Sequence, residues 1–135
     1  MDLVFLDTNV LLRHLLADVA EQSERATATI EKIERRELRV RLADTVIFEA
    51  VFTLGRTYRQ PREKIREALL ALLELPGMVL PGKRMFRRAF DLYVDLNIPF
   101  ADAYHAALME RLEISQVLSF DKDFDRVPGV GRIEP

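Results

Sequence analysis

The chain has no cysteine and two histidines, His14 and His105. A disulfide framework and a thiolate metal site are therefore excluded, and zinc is left with too few nitrogen or sulfur donors. The missing thiols also favour an intracellular, cytoplasmic setting. Long apolar runs are missing too: the N-terminus reads MDLVFLD, with an acid at position two and four apolar residues in a row. Neither a signal peptide nor a membrane span is expected there, and the mature chain is expected to start at this point. There is no internal repeat, low-complexity stretch or hairpin turn signal. At 135 residues there is room for one core, so a single domain over residues 1–135 is expected.

Positive charge is also short, with 20 Lys and Arg against 22 Asp and Glu. A net charge of −2 argues at first sight against a nucleic-acid partner, because non-specific binding rests on cations neutralising phosphates. The cations are mostly arginine, however, and come in clusters: Arg35, Arg36, Arg39 and Arg41; Arg56, Arg59, Arg62, Lys64 and Arg66; Lys83, Arg84, Arg87 and Arg88. Each cluster reads equally as a phosphate-binding face or as a solvated helix face laced with Glu.

What is present is alternation. LVFL reads as a strand, DTN as a turn and VLLRHLL as a helix. Residues 21–37 are polar and helical with a stripe of Ala26, Ile30 and Ile33, and a strand is expected at about 38–43. Asp44 is placed to cap a helix through VIFEAVFTLGRTYR, and Pro61 to open the next. Pro76-Gly77 punctuates, MVL is a third strand, RMFRRAFDLYVDLN a helix, and Pro99 precedes another at about 101–112. QVLSF and GRIE complete about five strands. Strands separated by helices predict an α/β architecture with a twisted, mostly parallel sheet flanked by helices. Ligands in such sheets bind beyond the carboxyl ends of the strands, where Asp7 and Asp121 fall.

The acids carry the functional signal. Glu49 is the single charge in VIFEAVFTL, a run apolar nearly all round that predicts a largely buried helix, and no Lys or Arg lies three or four residues away. Asp102, in IPFADAYHAALM, has His105 as its one titratable helical neighbour. Asp7 follows LVFL without a nearby base, and Asp121 follows VLSF beside Lys122. Unpaired carboxylates are costly to bury, so several together point to a shared cation. Oxygen donors alone suit Mg²⁺ or Mn²⁺, ions that gather phosphate charge and acidify water. Each acid also has a plain structural reading. Asp7, Thr8 or Asn9 can cap the next helix, Asp102 can sit on a helix dipole, and Asp121, Asp123 and Asp125 can solvate a loop. Glu49 can pair with a distant arginine such as Arg87. The tyrosines Tyr58, Tyr93 and Tyr104 offer base-stacking faces or ordinary packing, and Leu69, Leu72 and Leu73 a docking face or, more simply, core.

In order and context, LDTNVLL, EAVFTL, FADAYHAALM and LSFDKDF resemble the PIN-domain nucleases, more narrowly the VapC toxins of bacterial and archaeal toxin-antitoxin operons. The pieces span almost the whole chain. The resemblance implies a three-layer fold and makes Asp7, Glu49, Asp102 and Asp121 the metal-binding acids, with Asp123 an extra or alternative ligand for Asp121. It gives Thr8 a role in holding the site or the scissile phosphate. It further implies an endoribonuclease using Mg²⁺ or Mn²⁺, leaving 5′-phosphate and 3′-hydroxyl ends, commonly a homodimer restrained by a small VapB-like antitoxin. Rival readings are a phosphatase of the haloacid dehalogenase type, which wants an aspartate where Asn9 stands, a phosphoacceptor receiver domain, and a catalytically silent RNA- or partner-binding relative.

Overall fold

The computed structural model describes residues 2–135, and in it the opening apolar run becomes β1 (Leu3–Phe5). The chain divides into two units, one ending at Pro81 and one running from Gly82 to Pro135. In the first, β1 is followed by α1 (Thr8–Leu16), α2 (Ala20–Glu34), β2 (Arg39–Arg41) and α3 (Asp44–Phe52). A π-helical turn (Thr53–Thr57), α4 (Arg62–Leu73) and β3 (Met78–Val79) complete it. The strands pair in the order β1-β2-β3, all parallel, with Val4 opposite Val40 and Val40 opposite Met78. Parallel neighbours need crossovers, here α1 with α2 and then α3 with α4.

The helices form because their apolar residues fall on one side. Ala26, Ile30 and Ile33 of α2 are buried, as the stripe predicts, and so are Ile65, Leu69, Leu72 and Leu73 of α4. The last three leucines are thus core rather than a docking face. Burying side chains of this size stabilises by about 1.5–3 kcal/mol each. Pro61 stands at the N-cap of α4 as expected. The Asp44 expectation is corrected: Ala43 is the N-cap of α3, and Asp44 is its first helical residue, with no side-chain capping bond. There its negative charge favours the helix through the dipole instead.

His14 joins α1 to α2 through Thr27, with Nδ1 to Oγ1 at 2.8 Å. Burial pushes its pKa below the ordinary value, against a smaller opposing pull from Glu31. The unfolded chain therefore binds the proton more readily. The resulting stabilisation is full above the unfolded pKa of about 6.5 and is lost as pH falls through the lower folded value. Between about pH 7.5 and 5.5 the melting temperature should drop more for the native protein than for His14→Gln; equal drops would clear His14 of any part.

In the second unit α5 (Lys83–Asp95) and α6 (Phe100–Leu112) lead to β4 (Gln116–Leu118), a 3-10 turn (Lys122–Arg126) and β5 (Gly131–Ile133). Phe86, Ala89, Phe90 and Tyr93 of α5, and Phe100, Ala103, Ala106 and Ala107 of α6, are buried. The alanines let the helices approach while the rings interlock: Phe90 and Phe100 lie 4.7 Å apart, and Tyr93 meets Phe100 edge-on at 5.6 Å. Tyr93 is accordingly core, and Tyr104 packs on Phe86 at 5.2 Å. β4 and β5 pair in parallel, Val117 opposite Arg132. The five expected strands are thus present, every pairing is parallel, and they are hydrogen-bonded as a three-stranded and a two-stranded sheet. Among the described residues no helix is long and apolar enough to cross a membrane.

Candidate metal centre

In the first unit, Asp7 follows β1 and occupies the N-cap of α1 in extended conformation. Its side chain makes no capping bond, so the structural reading of this acid as a cap fails and its exposed carboxylate is left available. Thr8, one residue on, is only 6% exposed. Its hydroxyl donates to Glu49 Oε2 at 2.7 Å, tying α1 to α3 and fixing one carboxylate oxygen while the other stays open.

Glu49 departs from expectation in one respect, since it is exposed rather than buried. The helix is not apolar all round in use: Val46, Ile47, Ala50 and Val51 are buried, while Thr45, Glu49 and Phe52 face outward. Outward-facing phenylalanine made the run read as uniformly buried. The partner of Glu49 is the Thr8 hydroxyl and not a guanidinium.

The second unit brings Asp102, Asp121 and Asp123 together, with one carboxylate oxygen of each lying within 4.8 Å of the others. Asp102 enters from the first turn of α6, and the other two come from the segment after β4. The Asp123 backbone N–H donates to Asp121 Oδ1 and the Asp121 N–H to Ser119 Oγ, both at 2.9 Å, so Asp121 caps the 3-10 turn. Arg132 of β5 braces this turn from outside the cluster through Asp125 at 3.0 Å, Glu134 at 3.0 Å and the Ser119 carbonyl at 3.2 Å. The sequence reading missed Ser119 and Arg132. The single signal for the latter was an arginine inside a short strand.

The electrostatics of the cluster follow from crowding. Burial, then the hydrogen bond with Asp121 and the charges of Asp121 and Asp123, push the Asp102 pKa up to about 7. Asp121 is held below the ordinary carboxylate range, chiefly by that same hydrogen bond and then by the Asp123 N–H. Asp102 Oδ2 is buried without a hydrogen-bond partner. A carboxylate oxygen withdrawn from water, left unpaired and facing like charges, is satisfied by a proton or by a cation. The donor set is all oxygen, which fits a hard divalent ion and not a thiophilic one.

Asp7 follows β1, Asp121 follows β4 and Asp102 opens α6, a placement beyond strand ends where α/β folds with parallel strands bind their ligands. Over residues 4–130 the chain matches the PIN domain, and it belongs to the PIN domain family. It is similar to a VapC ribonuclease of Aquifex aeolicus, 27% identical over 122 residues that cover 90% of both chains. Over 76 residues it is 36% identical to VapC ribonuclease Mb1869c of Mycobacterium bovis and to Ribonuclease VapC13 of Mycobacterium tuberculosis, covering 53% of this chain and 56% of each relative.

Proposed function

We propose that this protein is an endoribonuclease dependent on Mg²⁺ or Mn²⁺, the toxin of a toxin-antitoxin pair, acting in the cytoplasm as a homodimer restrained by a small VapB-like antitoxin. The observation that carries the reading is the Asp102, Asp121 and Asp123 cluster with its buried, unpartnered oxygen, in a chain of this family. Residues 1–135 are taken as one functional domain.

In this reading Asp7, Glu49, Asp102 and Asp121 hold the ion or ions, with Asp123 supplementing or replacing Asp121. A bound divalent ion supplies charge stabilisation at the scissile phosphate and a water acidic enough to attack near neutral pH. The task of Thr8 is to keep the Glu49 carboxylate in one orientation, which its 2.7 Å hydrogen bond supports. Arginine and lysine side chains track the RNA backbone without reading sequence.

Incubation of RNA with Mn²⁺ tests the proposal. The native protein should cut and Asp7→Asn should not, and chelator should abolish cutting by the native protein. Equal cutting by the two proteins removes Asp7 from the site, and an uncut substrate with native protein overturns the activity.

A further inference from the structure

Exposed residues Thr45, Glu49, Phe52 and Arg56 recur at steps of four, three and four, forming one outward stripe along α3 and the turn that extends it. Phe52 is 63% exposed, and Arg56 Cζ lies over its ring 5.9 Å from the centroid. Among the described residues no carboxylate pairs with Arg56. The helix does not end at Phe52 but widens into the π-helical turn, closed by a bond from the Tyr58 N–H to the Thr53 carbonyl at 3.2 Å. Such turns recur at functional sites. Tyr58 is 42% exposed, and its hydroxyl donates to Asp18 Oδ2 at 3.3 Å, anchoring the end of the turn.

We propose that Phe52, with Arg56 beside it, is a stacking platform for an unpaired base of the RNA, next to the Glu49 carboxylate. This rests on the ribonuclease reading above and adds a residue that contacts substrate. An aromatic face flanked by arginine suits a single strand, since any base can stack and the guanidinium meets the backbone. Glu49 and Phe52 are helical neighbours with Cβ atoms about 5–6 Å apart, so stacking falls next to the acid. A second copy of the chain fits the patch less well. The ring's companions on the stripe are Thr45, Glu49 and Arg56, and glutamate is depleted at the centre of protein interfaces.

The test is binding of a fluorescent, unstructured RNA oligonucleotide to the full chain in EDTA, followed by anisotropy. Phe52→Ala should weaken binding about tenfold, Phe52→Trp should restore it, and Arg56→Gln should weaken it and flatten the salt dependence. With Mn²⁺, Phe52→Ala should raise KM and leave kcat within about twofold, because stacking acts on binding and not on the reacting atoms. Unchanged affinity in Phe52→Ala overturns the platform, as does failure of the native chain to bind RNA. Conversion of a native dimer to a monomer by Phe52→Ala in light scattering also overturns it and assigns the face to a second copy. Cleavage by a native chain whose Phe52→Ala variant binds normally sinks the platform alone. Rescued binding without cleavage sinks the ribonuclease reading alone.

Discussion

Asp102→Asn should lower RNA cleavage in saturating Mn²⁺ by about a thousandfold, the several kcal/mol expected when a metal-supporting carboxylate is lost. The substitution keeps the size of the side chain and its capacity to hydrogen-bond Asp121, so a purely structural role for Asp102 predicts little change. It removes a charge that the fold holds at a cost. In the unfolded chain Asp102 titrates near 3.9, whereas burial and Asp121 raise it to about 7 in the folded protein. Between those values the folded state binds more protons, so stability declines as pH rises through the window. Asparagine escapes that decline. Without metal, Asp102→Asn should therefore melt higher than the native protein at about pH 8, with the difference shrinking toward pH 4. Activity lost while stability is gained marks a group kept for function. Cleavage within tenfold of native, or a lower melting temperature at pH 8, would remove Asp102 from the proposed centre.

The order of elements was legible because periodicity is local. LVFL, the Ala26, Ile30 and Ile33 stripe and the helix after Pro61 all appear where the pattern of apolar residues put them. The acids stood out for the same reason, since a carboxylate among apolar neighbours contradicts its surroundings. What escaped depends on contacts between distant residues. The exposure of Glu49 follows from which side of α3 the rest of the fold covers, and Phe48 and Phe52 gave the wrong answer by their apolar character alone. The bond from Thr8 to Glu49 spans 41 positions, and no spacing rule reaches that far. Asp44 stood one residue inside the helix it was expected to cap, the usual error at an element boundary. The bracing of the Asp121 turn by Arg132 required β5 to be paired beside β4 before it had meaning.

Gly77 shows the same limit at the level of stability, and Gly77→Ala should be strongly destabilising. From sequence it was punctuation after Pro76. In the fold a Cβ at this position would lie 2.2 Å from the Leu38 carbonyl oxygen and 2.7 Å from that of Ile33. Neither obstacle is a flexible side-chain end that can swing aside. The Ile33 carbonyl accepts the Gly77 N–H at 3.0 Å, and the Gly77 carbonyl accepts the Val40 N–H at 2.9 Å. The methyl group therefore pushes apart the start of β3, the end of α2 and β2 together, and two backbone bonds go with them. Overpacking against yielding side chains costs about 1–3 kcal/mol, so a clash with fixed backbone should reach or exceed about 3 kcal/mol. In a chain of this size that lowers the melting temperature by roughly 10 °C. Chemical denaturation should show the same loss at an unchanged slope, because the surface exposed on unfolding is the same. Cleavage per folded molecule should stay native, since Gly77 lies outside the acid clusters. A loss below about 1 kcal/mol would mean that α2 and β3 can separate without cost, and the tight seat ascribed to Gly77 would be wrong.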